Sequence, residues 1–185
     1  MERNSFKSDG KEEKEGFSEI SLRPLHLSDV DDFMEWAKDD RVSRFCSWDT
    51  CTSREDAVKY IKETVIPHPW FRAICINNRP VGQISVLSYP GEYRCRGELG
   101  YAIAPKYWGQ GIATKAVKLV ASSIFSDWPH LERLEALVDV ANPASQRILE
   151  KLGFQKEGVL RKFYIKNERT IDVVMYSFLS TDHML

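Results

Sequence analysis

The segment from Tyr107 to Thr114, YWGQGIAT, has the residue types and spacing that most clearly indicate chemistry. It lies between a predicted strand and a predicted helix, and Gly109 and Gly111 allow the backbone to direct several N–H groups toward one point. A loop of this kind at a helix N-terminus is suited to bind an anion such as a phosphate group. The alternative is a glycine-containing turn that only connects the two elements.

Two well-known phosphate-binding patterns do not fit this segment. A P-loop requires Gly-Lys followed by Ser or Thr, and that sequence does not follow the loop. The dinucleotide fingerprint requires Gly or Ala at its last position, where this chain has Thr114. A dehydrogenase that binds a dinucleotide is therefore disfavoured.

A wider set of motifs is more specific: ELGYAIAPKYWGQGIAT at residues 98–114, NPAS at residues 142–145 and LEKLGF at residues 149–154. Together they resemble the GNAT superfamily of N-acetyltransferases, and within it the RimJ/RimL type, which acetylates protein N-termini. They occur in the order that the superfamily has, and the resemblance extends over about residues 18–180.

The resemblance implies that acetyl-CoA is the cosubstrate. Its pyrophosphate would lie on a loop that includes Gly109, Gln110, Gly111, Ile112, Ala113 and Thr114, and Asn142 would belong to the same binding site. The backbone of Tyr101, Ala102 and Ile103 would pair with the pantetheine arm as an added strand does, and the same amides would hold an oxyanion. Trp108 stands where the superfamily has Gln or Arg, which removes one polar side chain but keeps the backbone amides.

Acyl transfer to an amine needs an unprotonated nucleophile, a stabilised oxyanion and a thiolate that can leave. An α-amine has a pKa of about 7.7–8.0 and a lysine amine one of about 10.4, so the α-amine loses its proton more readily. The resemblance implies that Glu98 takes this proton through water as a general base. A surface carboxylate at the end of a strand is the alternative interpretation of Glu98.

Many members of the superfamily carry a tyrosine that protonates the thiolate, and this chain has Leu149 at that position. Ser145 matches the RimJ/RimL pattern and is the candidate replacement for this acid. The alternative is that Asn142 caps a helix that begins at Pro143, which would make Ser145 a solvated residue of the first turn.

The elements that must position these residues form a mixed α/β arrangement, in which the apolar pattern also predicts strands at residues 71–76, 155–160 and 171–179. The resemblance implies a single GNAT-like domain over residues 17–181, with a central, mostly antiparallel sheet of six or seven strands flanked by helices. The middle strands, predicted at residues 98–104 and 134–140, should be parallel because a helix connects them, and they should splay to admit the cofactor. Residues 1–16 contain nine charged side chains and are predicted to be a disordered tail.

Composition excludes several other classes of protein. The net charge of −1 over 185 residues argues against binding of nucleic acid or an anionic membrane through a basic field. No apolar run approaches the roughly 18 residues of a membrane span. The four cysteines show neither a CxxC pair nor a histidine at ligand spacing, so we predict no metal site and a reducing, cytoplasmic location.

These observations predict a cytoplasmic, acetyl-CoA-dependent N-acetyltransferase. The expected acceptor is a primary amine, either a protein N-terminus or a small molecule such as a polyamine or an amino sugar. A non-catalytic module that binds acetyl-CoA and recruits a partner is the alternative, favoured by Leu149 and opposed by the presence of both Glu98 and Ser145. The sequence leaves the oligomeric state open.

Overall fold

The computed structural model describes residues 19–184, and these residues form one seven-stranded sheet with helices on both faces. The strands are β1 (Ile20–Arg23), β2 (Phe71–Ile76), β3 (Arg79–Ser88), β4 (Arg96–Ile103), β5 (Arg133–Asp139), β6 (Gln155–Lys166) and β7 (Arg169–Leu179). Their order in the sheet is β1-β2-β3-β4-β5-β7-β6. The predicted tail, residues 1–16, lies outside the described residues.

In the described part of the chain, five α-helices cover the sheet: α1 (Val30–Ala37), α2 (Asp40–Ser43), α3 (Arg54–Tyr60), α4 (Ile112–Asp127) and α5 (Pro143–Lys151). A π-helical turn, Ile61–Val65, continues α3. Buried residues of α1 and α3 pack on one side of the sheet, and those of α4 and α5 pack on the other. We call these sides the α1–α3 face and the α4–α5 face. Within residues 19–184, no helix combines the length and the apolar character that crossing a membrane requires.

The helices bury the faces that their apolar periodicity predicts. In α4, the buried residues recur at three- and four-residue intervals, as they must on one side of a helix: Ile112, Ala116, Val117, Val120, Ala121 and Ile124. These side chains pack in one cluster with apolar residues of β3, β4 and β5. The position of α4 on the sheet therefore fixes the loop that precedes it.

The middle of the sheet contains the predicted parallel pair. Residues 96–98 of β4 pair with residues 133–135 of β5 in a parallel register, whereas the other strand pairs are antiparallel. The pairing stops at Glu98 and Glu135, although β4 continues to Ile103 and β5 to Asp139. The two strands therefore separate and leave a gap, which confirms the predicted splay of the middle strands.

The closing hairpin is longer than its sequence pattern predicts. The pattern ends β6 at Leu160, but the strand continues to Lys166 after a shift in register between Leu160 and Tyr164. Within this bulge Lys162 has a positive φ of 49°, and its N–H donates to Asp172 Oδ1 at 2.7 Å. The bulge interrupts the alternation of apolar and polar residues, so the periodicity hides the second half of the strand.

Candidate active site

The edge of β4 directs backbone groups into the gap. The N–H of Ala104 donates to the carbonyl of Val81 in β3 at 2.9 Å. Because the backbone groups of successive strand residues point to alternate sides, those of Tyr101 and Ile103 face the gap and those of Ala102 face β3. Of the three residues expected to pair with a pantetheine arm, two therefore direct their backbone groups toward the gap.

The loop at the start of α4 has the geometry of an anion site. Gly109 and Gly111 have φ values of 74° and 76°, a backbone conformation that favours glycine. A Cβ placed on either glycine would meet no other atom within 4 Å, so the space beside the loop is open. The first N–H groups of a helix lack partners within the helix, which makes the amides of Ile112, Ala113 and Thr114 available to a ligand.

Two side chains of this loop turn back, one to the end of β4 and the other to the turn that follows it. The indole Nε1–H of Trp108 donates to the carbonyl oxygen of Ile103 at 2.7 Å, and the guanidinium of Arg41 lies 5.7 Å from the centre of the indole ring. The side-chain amide of Gln110 donates to the carbonyl of Lys106 at 3.0 Å. Trp108, the residue that departs from the family pattern, therefore links the loop to the end of β4 by a hydrogen bond.

Glu98 lies on the α1–α3 face, where β4 and β5 begin to separate. Its Oε2 accepts a hydrogen bond of 2.6 Å from the hydroxyl of Tyr89, which belongs to the loop after β3. Burial, together with the bond to this carboxylate, raises the pKa of Tyr89, so the tyrosine keeps the proton that it donates. The guanidinium of Arg96 lies 4.5 Å from the centre of the Tyr89 ring. Glu98 is thus a half-buried carboxylate with a fixed partner, and sequence reasoning missed that partner.

Ser145 lies in the first turn of α5, and its backbone and side chain have different partners. Asn142 is the N-cap of α5, and its Oδ1 accepts the N–H of Ser145 at 3.2 Å. The hydroxyl of Ser145 instead lies 2.6 Å from the hydroxyl of Tyr101 in β4. Burial raises the pKa of Tyr101 to about 12, although its bond to Ser145 acts in the opposite direction. The hydroxyl of Ser145 is therefore directed toward the sheet.

The two predicted catalytic groups lie on opposite sides of β4. Successive strand residues point to opposite faces, so Glu98 points to the α1–α3 face and Tyr101 to the α4–α5 face, where it meets Ser145. A carboxylate on one side of the gap and a hydroxyl on the other suit a reaction in which a nucleophile enters from one face and a leaving group departs on the other. Acyl transfer is a reaction of this kind.

Comparison with known proteins identifies relatives of the whole fold. Residues 19–155 match the model of the acetyltransferase (GNAT) domain family. The N-acetyltransferase YoaA of Bacillus subtilis, itself uncharacterized, is 32% identical over 166 residues, which are 86% of this chain and 93% of YoaA.

Solved structures show the same architecture. An acetyltransferase of Salmonella typhimurium that modifies the N-terminal serine of a ribosomal subunit protein superposes with a TM-score of 0.75 at 20% identity, covering 86% of this chain and 94% of that one. Spermidine N-acetyltransferase from Vibrio cholerae, in complex with CoA and spermine, gives a TM-score of 0.74 at 20% identity, covering 88% of this chain and 96% of that one. At this level of identity, the likeness shows a shared fold.

Proposed function

The chain belongs to the GNAT acetyltransferase family and is an acyltransferase, and from this premise we propose that it transfers an acetyl group from acetyl-CoA to a primary amine. The observation that carries the proposal is the gap between β4 and β5, with Glu98 on one face and Ser145 on the other. The acceptor is the amine of a protein N-terminus or of a small molecule, the two classes on which the Salmonella and Vibrio enzymes act.

The described residues fit acetyl-CoA at two places. The open space beside Gly109 and Gly111 and the first amides of α4 would hold the pyrophosphate, with Asn142 at the start of the neighbouring α5. The gap-facing carbonyl of Tyr101 and N–H of Ile103 would pair with the pantetheine arm, since the Ile103 carbonyl already accepts from Trp108. The thioester, when bound, supplies the acetyl group and a carbonyl carbon that an amine can attack.

Each catalytic residue would act on one bond. Glu98 would take the proton that the amine loses, through water, as the nitrogen–carbon bond forms. The gap-facing N–H of Tyr101 would donate to the carbonyl oxygen as negative charge develops there. Ser145 would give its hydroxyl proton to the sulfur, which keeps the electron pair of the broken carbon–sulfur bond. Solvent would then take from Glu98 the proton that it gained and return a proton to Ser145.

The function is tested by incubating the protein with labelled acetyl-CoA and a panel of peptides with free N-termini, polyamines and amino sugars. Label recovered on the amine of one class supports the proposal and identifies the acceptor. Acetyl-CoA binding without transfer to any member of the panel would favour the non-catalytic binding module instead.

The position of the cofactor is tested by Gly111→Val, with Gly91→Val as the matched control. Both glycines have a positive φ and open space where a Cβ would stand, so valine strains both loops, but only Gly111 lies at the start of α4. We expect calorimetry to show at least tenfold weaker acetyl-CoA binding for Gly111→Val, because a side chain blocks the approach to the amides, and unchanged binding for the control. Wild-type affinity in Gly111→Val would exclude this loop as the pyrophosphate site.

A further inference from the structure

The hydroxyl groups of Tyr101 and Ser145 link β4 to the first turn of α5. Their oxygen atoms lie 2.6 Å apart, whereas the Tyr101 hydroxyl is 3.4 Å from the carbonyl oxygen of Ser145. The sequence indicated a role for the backbone of Tyr101 alone. Its side chain, however, brings a phenol hydroxyl to the residue that would protonate the departing sulfur.

The direction of this hydrogen bond decides what Ser145 can do. In a bond between two hydroxyls, one donates and the other accepts. Both hydroxyls carry their protons at neutral pH, since burial raises the pKa of Tyr101 to about 12. A phenol is intrinsically more acidic than an alkyl hydroxyl and is the stronger donor, which favours donation from Tyr101 to Ser145 Oγ. When Tyr101 donates, Ser145 accepts, and the proton of Ser145 remains available to a third group.

A second observation concerns the tyrosine that the superfamily carries on this helix. Its position is occupied by Leu149, whose side chain is fully buried in the core beneath α5. The nearby phenol hydroxyl comes instead from Tyr101, on the adjacent strand and on the same face of the sheet. A tyrosine hydroxyl is thus present at the start of α5, but it reaches Ser145 from a different element.

We infer that Tyr101 is a positioning residue for acetyl transfer: its hydroxyl donates to Ser145 Oγ and thereby directs the Ser145 proton toward the departing sulfur. The inference rests on the proposed function. As the carbon–sulfur bond breaks, the sulfur keeps the electron pair and takes the proton of Ser145. Tyr101 keeps its own proton and holds the serine oxygen while solvent restores the serine hydroxyl.

If Tyr101 had a purely structural role, a different result would be expected, and a second tyrosine in the fold provides a matched control. The hydroxyl of Tyr176 in β7 donates to Glu150 Oε1 at 2.7 Å and so also ties α5 to the sheet. Tyr176→Phe removes a tyrosine hydroxyl that bonds to the same helix, but its partner lies five residues after Ser145. If Tyr101 only docks the helix, the two Tyr→Phe variants should behave alike.

The experiment is a double-mutant cycle with Tyr101→Phe, Ser145→Ala and the variant that combines them. In the wild-type background we expect Tyr101→Phe to lower kcat about fivefold, the worth of about one hydrogen bond, with unchanged acetyl-CoA affinity. In the Ser145→Ala background the same substitution should cost nothing further, because Tyr101 acts only through the serine hydroxyl. Tyr176→Phe should lower Tm and leave kcat within twofold of wild type.

Two results would overturn the inference while the proposed function stands. One is an equal loss of kcat from Tyr101→Phe in both backgrounds, and the other is an equal loss from Tyr101→Phe and Tyr176→Phe in an active enzyme. A wild-type protein that transfers no acetyl group to any amine would refute the proposed function, and the inference with it. The wild-type assay therefore separates the two failures.

Discussion

On the α1–α3 face of the gap, Glu98 is bonded to Tyr89, nine residues earlier in the chain. On the α4–α5 face, Ser145 is bonded to Tyr101, which lies 44 residues away. The first pair forms between the end of one strand and the start of the next, so a single hairpin brings it together. The second pair forms only when α5 docks on the sheet. One half of the site is thus a local structure, and the other depends on tertiary packing.

The difference also concerns what holds each tyrosine. The ring of Tyr89 is stacked against the guanidinium of Arg96, a residue at the start of the same strand as Glu98. Tyr101 is held by the core of the α4–α5 face, and α5 is held there by the buried side chains of Leu149 and Leu152. We therefore expect substitutions in the core beneath α5 to disturb Ser145 more than they disturb Glu98.

The largest effect should come from the α1–α3 face. Glu98→Gln keeps the shape of the side chain and removes the base, so we expect kcat/KM to fall by about 100-fold with unchanged acetyl-CoA affinity. Steady-state kinetics and calorimetry on the same preparation measure both quantities. Glu92→Gln, in the exposed loop before β4, is the control and should keep wild-type kinetics. If the Glu98→Gln variant kept the wild-type kcat/KM, Glu98 would not be the base and would serve only to stabilise the end of the strand.

A smaller effect is expected on the α4–α5 face. Ser145→Ala should lower kcat by about tenfold, because a thiol with a pKa of about 8.5 leaves readily without an acid. Its Tm should change little, since the helix cap is provided by the side chain of Asn142 and the backbone N–H of Ser145. The control is Ser122→Ala, which removes a helical hydroxyl bonded to the carbonyl of Lys118. A lower Tm with unchanged kcat would show instead that Ser145 serves to start the helix.

The sequence predicted the elements of this site better than the contacts within it. The apolar segment before the Asn77-Asn78 turn predicted β2 at its observed bounds, Phe71–Ile76, and the helix between the middle strands predicted their parallel pairing. Glu98 and Ser145 could be proposed because the motifs that resemble the superfamily are local in the chain. Their tyrosine partners were not, because periodicity gives the face on which a side chain lies but not the side chain that it meets.

The register between neighbouring strands was the other feature that could not be predicted from the sequence. Ala104 donates to Val81 of β3, so Ala102, two residues earlier, also directs its backbone groups toward β3. This register is set by the pairing of β3 with β4. The bulge in β6 similarly depends on Asp172, ten residues from Lys162, whose carboxylate accepts the N–H of the bulged residue. Both features follow from contacts between strands, which no pattern within one strand records.

The smallest effect should come from the partner of the base. Tyr89→Phe keeps the ring that stacks on Arg96 and removes the hydroxyl that holds Glu98, so the carboxylate remains but is less well oriented. We expect kcat/KM to fall about threefold, since one orienting hydrogen bond is worth about 1 kcal/mol or less. In the Glu98→Gln background the substitution should have no further effect on kcat/KM, because Tyr89 acts through the carboxylate. A loss of the same size in that background would show that Tyr89 contacts the acceptor directly.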